Sequence, residues 1–139
     1  MILLDTNVLS ALMQRDANPT VVAWLDAQPS ESIWTSAVSV FEVRFGLRLL
    51  EPGRRRTQLE EAFACILADD LQGRVLPFDQ VAAEAAAAMA ADQRRAGRAI
   101  EIRDVEIAGI AAARRATVAT RNVKHFEGLG VTLVDPWSA

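Results

Sequence analysis

The chain has 139 residues, 51% of them hydrophobic, with 18 acidic and 15 basic side chains and a formal net charge of −3. That length suits one domain spanning residues 1–139, with a core large enough to need neither disulfides nor a structural metal. The mild negative charge gives no overall support for nucleic-acid binding, so any such surface has to be a local patch.

Ile2-Leu3-Leu4 is an apolar run ending at Asp5, as in a buried strand. It has no basic segment and meets an acid at position 5, so it does not read as a secretory signal. Thr6 and Asn7 are placed to cap a helix from Val8 that carries Leu9, Leu12 and Met13. Pro19 fits the first turn of a second helix with Val21, Val22, Trp24 and Leu25. Ser32 to Thr35 reads as a strand. Ser36 or Ser39 then starts a long helix in which Val38, Phe41, Phe45 and Leu49 recur at helical spacing, and Pro52-Gly53 breaks it.

From Arg54 the pattern is again helical, with Leu59, Phe63, Ile66 and Leu67 on one face. Cys65 lies in this run and reads as a small buried hydrophobe. As the only cysteine it forms no internal disulfide. Arg74 to Pro77 is a brief extended piece. Asp79 caps an alanine-rich helix running to about Arg95, where Gly97 ends it. This stretch carries Glu84, and no window of about 18 uncharged apolar residues exists, so no membrane span is expected and the reading is cytoplasmic. Ile100 to Arg103 links to Asp104, after which Ile107, Ala108, Ile110 and Ala111 face inward on a helix ending near Arg115. Thr117 to Thr120 and Val131 to Val134 are the last two strands.

Short apolar strands separated by helices imply an α/β fold, a mainly parallel sheet with helices on both faces. In such sheets ligands collect beyond the carboxyl ends of the strands. Asp5 ends the first strand, Glu42 lies on the helix after the second, and Asp104 opens the helix before the strand at Thr117. Each acid also has a purely structural role open to it. Asp5 and Asp104 suit N-caps, and Ser39 with Glu42 has the spacing of a capping box. Against those roles, Glu42 sits among Val38, Phe41, Val43 and Phe45, and Asp104 is in line with Ile107 and Ala108. Half-buried carboxylates without matching lysines suggest a bound cation. Hard oxygen donors select magnesium or manganese, and there is no Cys/His cluster for zinc. This route reaches metal-dependent phosphoryl chemistry.

Four segments together resemble a known family. Met-Ile-Leu-Leu-Asp5-Thr6-Asn7-Val8-Leu9-Ser10 resembles the opening motif of PIN-domain toxins of the VapC and FitB type. The run from Ser36 to Gly46 is similar to their second motif, centred on Glu42; Asp104 to Ala111 resembles the third, and Ala119 to Phe126 the fourth. The closing Val134-Asp135-Pro136-Trp137 also fits this subgroup. The resemblance implies an α/β/α PIN fold and a magnesium-dependent endoribonuclease, with manganese as an alternative ion. It also implies homodimerisation, inhibition by a VapB-like antitoxin, and contact with DNA only through that antitoxin. Asp5 and Asp104 match the principal metal ligands, with Glu42 acting partly through water. Thr6, Asn7 and Thr120 match polar positions around the site.

Many relatives carry a fourth acid where this chain has Asn122, and often an aspartate where it has His125. That departure bears on whether a second metal is held, although the Asn122 amide can still orient a water or phosphate. Arg121 and Lys124 follow the strand nearest the site and are the foremost candidates for RNA phosphate contacts. Arg54-Arg55-Arg56 and Arg94-Arg95-Arg98 read as solvated helix ends, and no base-stacking aromatic platform is evident. Two other readings compete. One is a weakly or non-catalytic partner of a DNA-binding antitoxin in a transcription-repressing complex, for which the missing fourth acid argues. The other is a haloacid-dehalogenase-type phosphatase, against which stands Asn7 where that chemistry uses a second aspartate.

Overall fold

Ile2-Leu3-Leu4 carries no polar residue because both of its faces are covered. Leu3 (0% exposed) and Leu4 (1%) lie in two separate cores on opposite sides of the sheet. The computed structural model describes all residues, 1–139. Its strands are β1 (Ile2–Leu4), β2 (Ile33–Ser36), β3 (Val75–Leu76), β4 (Thr117–Ala119) and β5 (Thr132–Val134). They form one sheet in the order β3-β2-β1-β4-β5, and every pairing is parallel.

Parallel neighbours need crossovers, and the helices supply them. They are α1 (Thr6–Met13), α2 (Pro19–Asp26), α3 (Ala37–Leu49), α4 (Arg54–Cys65), α5 (Gln80–Arg95), α6 (Ile102–Arg114) and α7 (Val123–Phe126). One core joins Leu4 to Val8, Leu9, Val43, Leu47 and Phe63 beneath α1, α3 and α4. The other joins Leu3 and Val118 to Ile107, Ala108, Ile110 and Phe126. The helices α5 and α6 pack closely at Gly109, where a Cβ atom would lie 2.5 Å from the Ala82 carbonyl oxygen and 2.7 Å from Ala86 Cβ. No helix is long and apolar enough to cross a membrane.

The order of the strands positions the site. The chain steps outward from β1 to β2 and β3, then crosses back to β4 on the other side of β1. Connections therefore leave β1 and β4 in opposite directions, which opens a crevice at their carboxyl ends. Leu4 pairs with Ala119, so the residues just beyond, Asp5 and Thr120, face each other across it.

Local details differ from the sequence expectations. Asp5 caps α1, the structural role open to it, its side chain accepting from the Thr6 amide, so the helix starts at Thr6 rather than Val8. Ser36 caps α3 by accepting from Ser39 N, so Ser39 and Glu42 form no capping box. Glu101 rather than Asp104 caps α6, which leaves Asp104 within its first turn. The α3 stripe that faces the core is Ser39, Val43 and Leu47; Phe41, Phe45 and Leu49 are 56%, 49% and 71% exposed. Periodicity detected an apolar face on this helix, but the helix has two, and only one is covered by the chain itself. Cys65 is exposed, since it lies at the end of α4 beside buried Phe63 and Ile66 but turned away from them. A turn of π-helix over Ile66–Asp70 and the short α7 have no counterpart in the sequence reading.

Candidate metal centre

Asp5 is 4% exposed and is held from three directions. Its Oδ1 accepts from Thr6 N at 2.8 Å. Its Oδ2 accepts from the Thr120 hydroxyl at 2.8 Å and from Asn7 Nδ2 at 3.3 Å. The same Thr120 oxygen accepts from Asn7 Nδ2 at 3.2 Å and from Asn122 N at 3.0 Å, while Asn7 Oδ1 accepts from Arg121 N at 3.2 Å. The turn after β4 is thus fastened to the turn after β1 by neutral donors, one of them bonded to the Asp5 carboxylate itself. None of these donors carries a charge, so burial raises the Asp5 pKa, and the bonds from Thr120 and Thr6 only partly oppose it.

Asp104 comes to the same crevice from α6. Burial first, and then the charge of Asp5, push its pKa up to about 6, against a lowering influence from His125. His125 Nδ1 lies 3.2 Å from Asp104 Oδ2, at the mouth of a cleft of about 510 Å³ that Lys124 and Arg98 also line. Glu42 connects less directly. Its Oε1 accepts from the Thr6 hydroxyl at 2.9 Å, and Oε2 lies 3.5 Å from the Arg103 guanidinium. The Thr6 oxygen is also 3.1 Å from Ser39 Oγ, so Thr6 ties the Asp5 turn to α3.

The structure therefore brings Asp5, Thr6, Asn7 and Thr120 into one hydrogen-bonded unit, with Asp104 coupled to it by charge and Glu42 through Thr6. Arg121 and Asn122 join through their backbone amides. The Arg121 guanidinium instead rests over the Trp137 ring, 5.1 Å from its centre. Sequence reasoning missed Arg103, which adjoins Asp104 and pairs with Glu42, and it missed Ser39 in this role, having assigned it to a cap. A charged residue directly preceding a candidate ligand was the available signal for Arg103. A separate cavity of about 270 Å³, lined by Leu12, Leu25, Ile33 and Ile66 among others, contains none of the three acids.

The donor set fits a hard divalent ion. Asp5 and Asp104 are carboxylates that raise each other's energy in a half-dry crevice, and no lysine or arginine pairs with either. No group of three or more acidic, histidine or cysteine side chains converges on one point, as a closed zinc or calcium cage requires.

Comparison with known proteins identifies the family. The family described as "PIN domain" matches residues 2–129. The plasmid stability protein StbB of Pseudomonas syringae pv. tomato is 42% identical over all of both chains. A VapC ribonuclease, Y4jK of Sinorhizobium fredii, is 40% identical over 99% of this chain and 98% of its own. Among solved structures, the crystal structure of FitAcB from Neisseria gonorrhoeae superposes with a TM-score of 0.90 at 37% identity, covering 100% of both chains.

Proposed function

Because the chain belongs to the PIN-domain family, in the branch of the VapC ribonuclease and toxin FitB, we propose that it is a magnesium-dependent endoribonuclease. In this reading it is the toxin of a toxin–antitoxin pair, acting in the cytoplasm. The observation that carries the chemistry is the Asp5–Asp104 pair at the β1/β4 crevice, two carboxylates whose pKa values burial raises and which no lysine or arginine pairs with, His125 alone facing Asp104.

In this reading Asp5 and Asp104 hold the ion, and Glu42 acts partly through water. Magnesium held there would supply Lewis-acid polarisation of the scissile phosphate and activation of water; manganese would serve similarly. The protein's own part is positioning. Thr120 and Asn7 fix the Asp5 carboxylate, and Thr6 holds Glu42 at the edge of the site. Lys124 stands in the cleft beside Asp104 to take an RNA phosphate. Asn122 and Arg121 offer an amide and a guanidinium at the same turn. With no carboxylate at position 122 or 125, the chain has fewer ligands for a second ion.

The exposed strip of Phe41, Phe45 and Leu49 on α3 supports association, either as a homodimer or with a VapB-like antitoxin through which the complex reaches DNA. The test is cleavage of a labelled total-RNA pool by the purified chain with magnesium, with EDTA, and by Asp5→Asn. Discrete fragments requiring both magnesium and Asp5 are expected. A folded, magnesium-loaded chain that cuts nothing would favour instead a non-catalytic partner of a repressing antitoxin.

A further inference from the structure

Glu42 differs from the other two acids in having a guanidinium of the chain beside it. Both of its oxygens are engaged: Oε1 accepts from the Thr6 hydroxyl at 2.9 Å, and Oε2 lies 3.5 Å from Arg103 Nη1. Arg103 stands in the first turn of α6, next to Asp104, where its amide donates to the Glu101 side chain at 3.1 Å. Its far end lies over the Phe41 ring, 5.8 Å from the centre, and Phe41 directly precedes Glu42 on α3. One guanidinium therefore meets the ring and the carboxylate of successive residues. The Arg103 side chain is 43% exposed and that of Glu42 22%, so the pair is too wet to count for much in folding stability. Its effect falls instead on the charge of the site. Asp5 has no ion pair, Asp104 faces only His125, and Asn122 adds no carboxylate. With Glu42 matched by Arg103, two carboxylates are left for an ion, the charge of one divalent cation.

We propose that Arg103 is the counter-ion that keeps Glu42 from ligating the metal directly, so that the site takes a single divalent ion on Asp5 and Asp104 and Glu42 meets it only through water. Arg103 is thus a positioning residue that acts through Glu42. This role rests on the metal-dependent reading of the crevice and is independent of which phosphodiester is cut.

The probe is manganese(II), its free fraction followed by electron paramagnetic resonance as the purified full chain is titrated. About pH 7.5 and about 0.3 M potassium chloride are used, where charges at a distance are screened. One ion per wild-type chain is expected, lost in Asp5→Asn. Arg103→Gln should tighten binding about tenfold, because the freed Glu42 carboxylate can then reach the ion. Arg103→Lys keeps the wild-type affinity. Glu42→Gln alone should change affinity by less than about threefold, and in that background Arg103→Gln should add less than about twofold. Two ions per wild-type chain, an Arg103→Gln affinity no tighter than wild type, or a gain that persists without Glu42 would each overturn the role. So would a Glu42→Gln loss as large as that of Asp5→Asn. Binding that needs Asp5 but ignores Arg103 defeats the role alone. No manganese binding by the wild-type chain defeats the metal reading along with it.

Discussion

Asp104→Asn should make the metal-free protein more stable, because the wild-type carboxylate is held where its charge is unwelcome. The group is raised from 3.8 to about 6 by burial and then by Asp5. A rise of roughly two pH units corresponds to at most about 3 kcal/mol. Solvent at the open cleft screens this, so about 1–2 kcal/mol is expected. A carboxyl whose folded pKa lies above its unfolded value favours folding when protonated. Its contribution is complete below pH 3.8 and is lost as pH rises through about 6. The asparagine variant has no such dependence. In urea melts with EDTA at about pH 7.5, its midpoint should exceed the wild-type value by about 0.5–1 M. The excess should shrink towards nothing by about pH 4. Added magnesium should then raise the wild-type midpoint and leave the variant unmoved. A variant no more stable than wild type in EDTA, or an excess that ignores pH, would refute the strained-pair account.

Three further outcomes are expected. Thr120→Val leaves Asp5 Oδ2 without its 2.8 Å donor in a fully buried position, and a loss of about 1–3 kcal/mol in chemical denaturation should accompany weaker cleavage. Gly109→Ala places a methyl 2.5 Å from the Ala82 carbonyl, and forcing α5 from α6 should lower stability by about 1–3 kcal/mol, read as a fall in Tm. Phe45→Glu changes a half-exposed ring stacked on Phe41 at 5.9 Å; stability should move by only about 0.5 kcal/mol, while sedimentation should show self-association lost.

Strand runs such as Ile2-Leu3-Leu4 were legible because a strand buried on both faces has to be continuously apolar. The acids stood out because each interrupts or borders such a run. What pattern reading lost was everything decided by a partner distant in sequence. Thr120 bonds to Asp5 across 115 positions, and Arg103 meets Glu42 across 61. Neither pairing leaves a local trace. The α3 error has the same origin: Phe41 and Phe45 have the spacing of core residues, and spacing alone cannot tell an inward face from an exposed one. Cys65 likewise sits in an apolar run, but the angle of one residue around a helix decides its exposure.

Joining the turn after the first strand to the turn after the fourth has a consequence for timing during synthesis. Asp5 leaves the ribosome early, but its Thr120 donor belongs to a strand that begins at Thr117 and needs β1 as its template. Contacts this far apart in sequence are closed late, after the loop between them has been ordered. A growing chain therefore carries its first acid, its second-strand helix and much of one core without an assembled centre. Whatever chemistry the crevice performs is withheld until β4 has been made and has paired with β1.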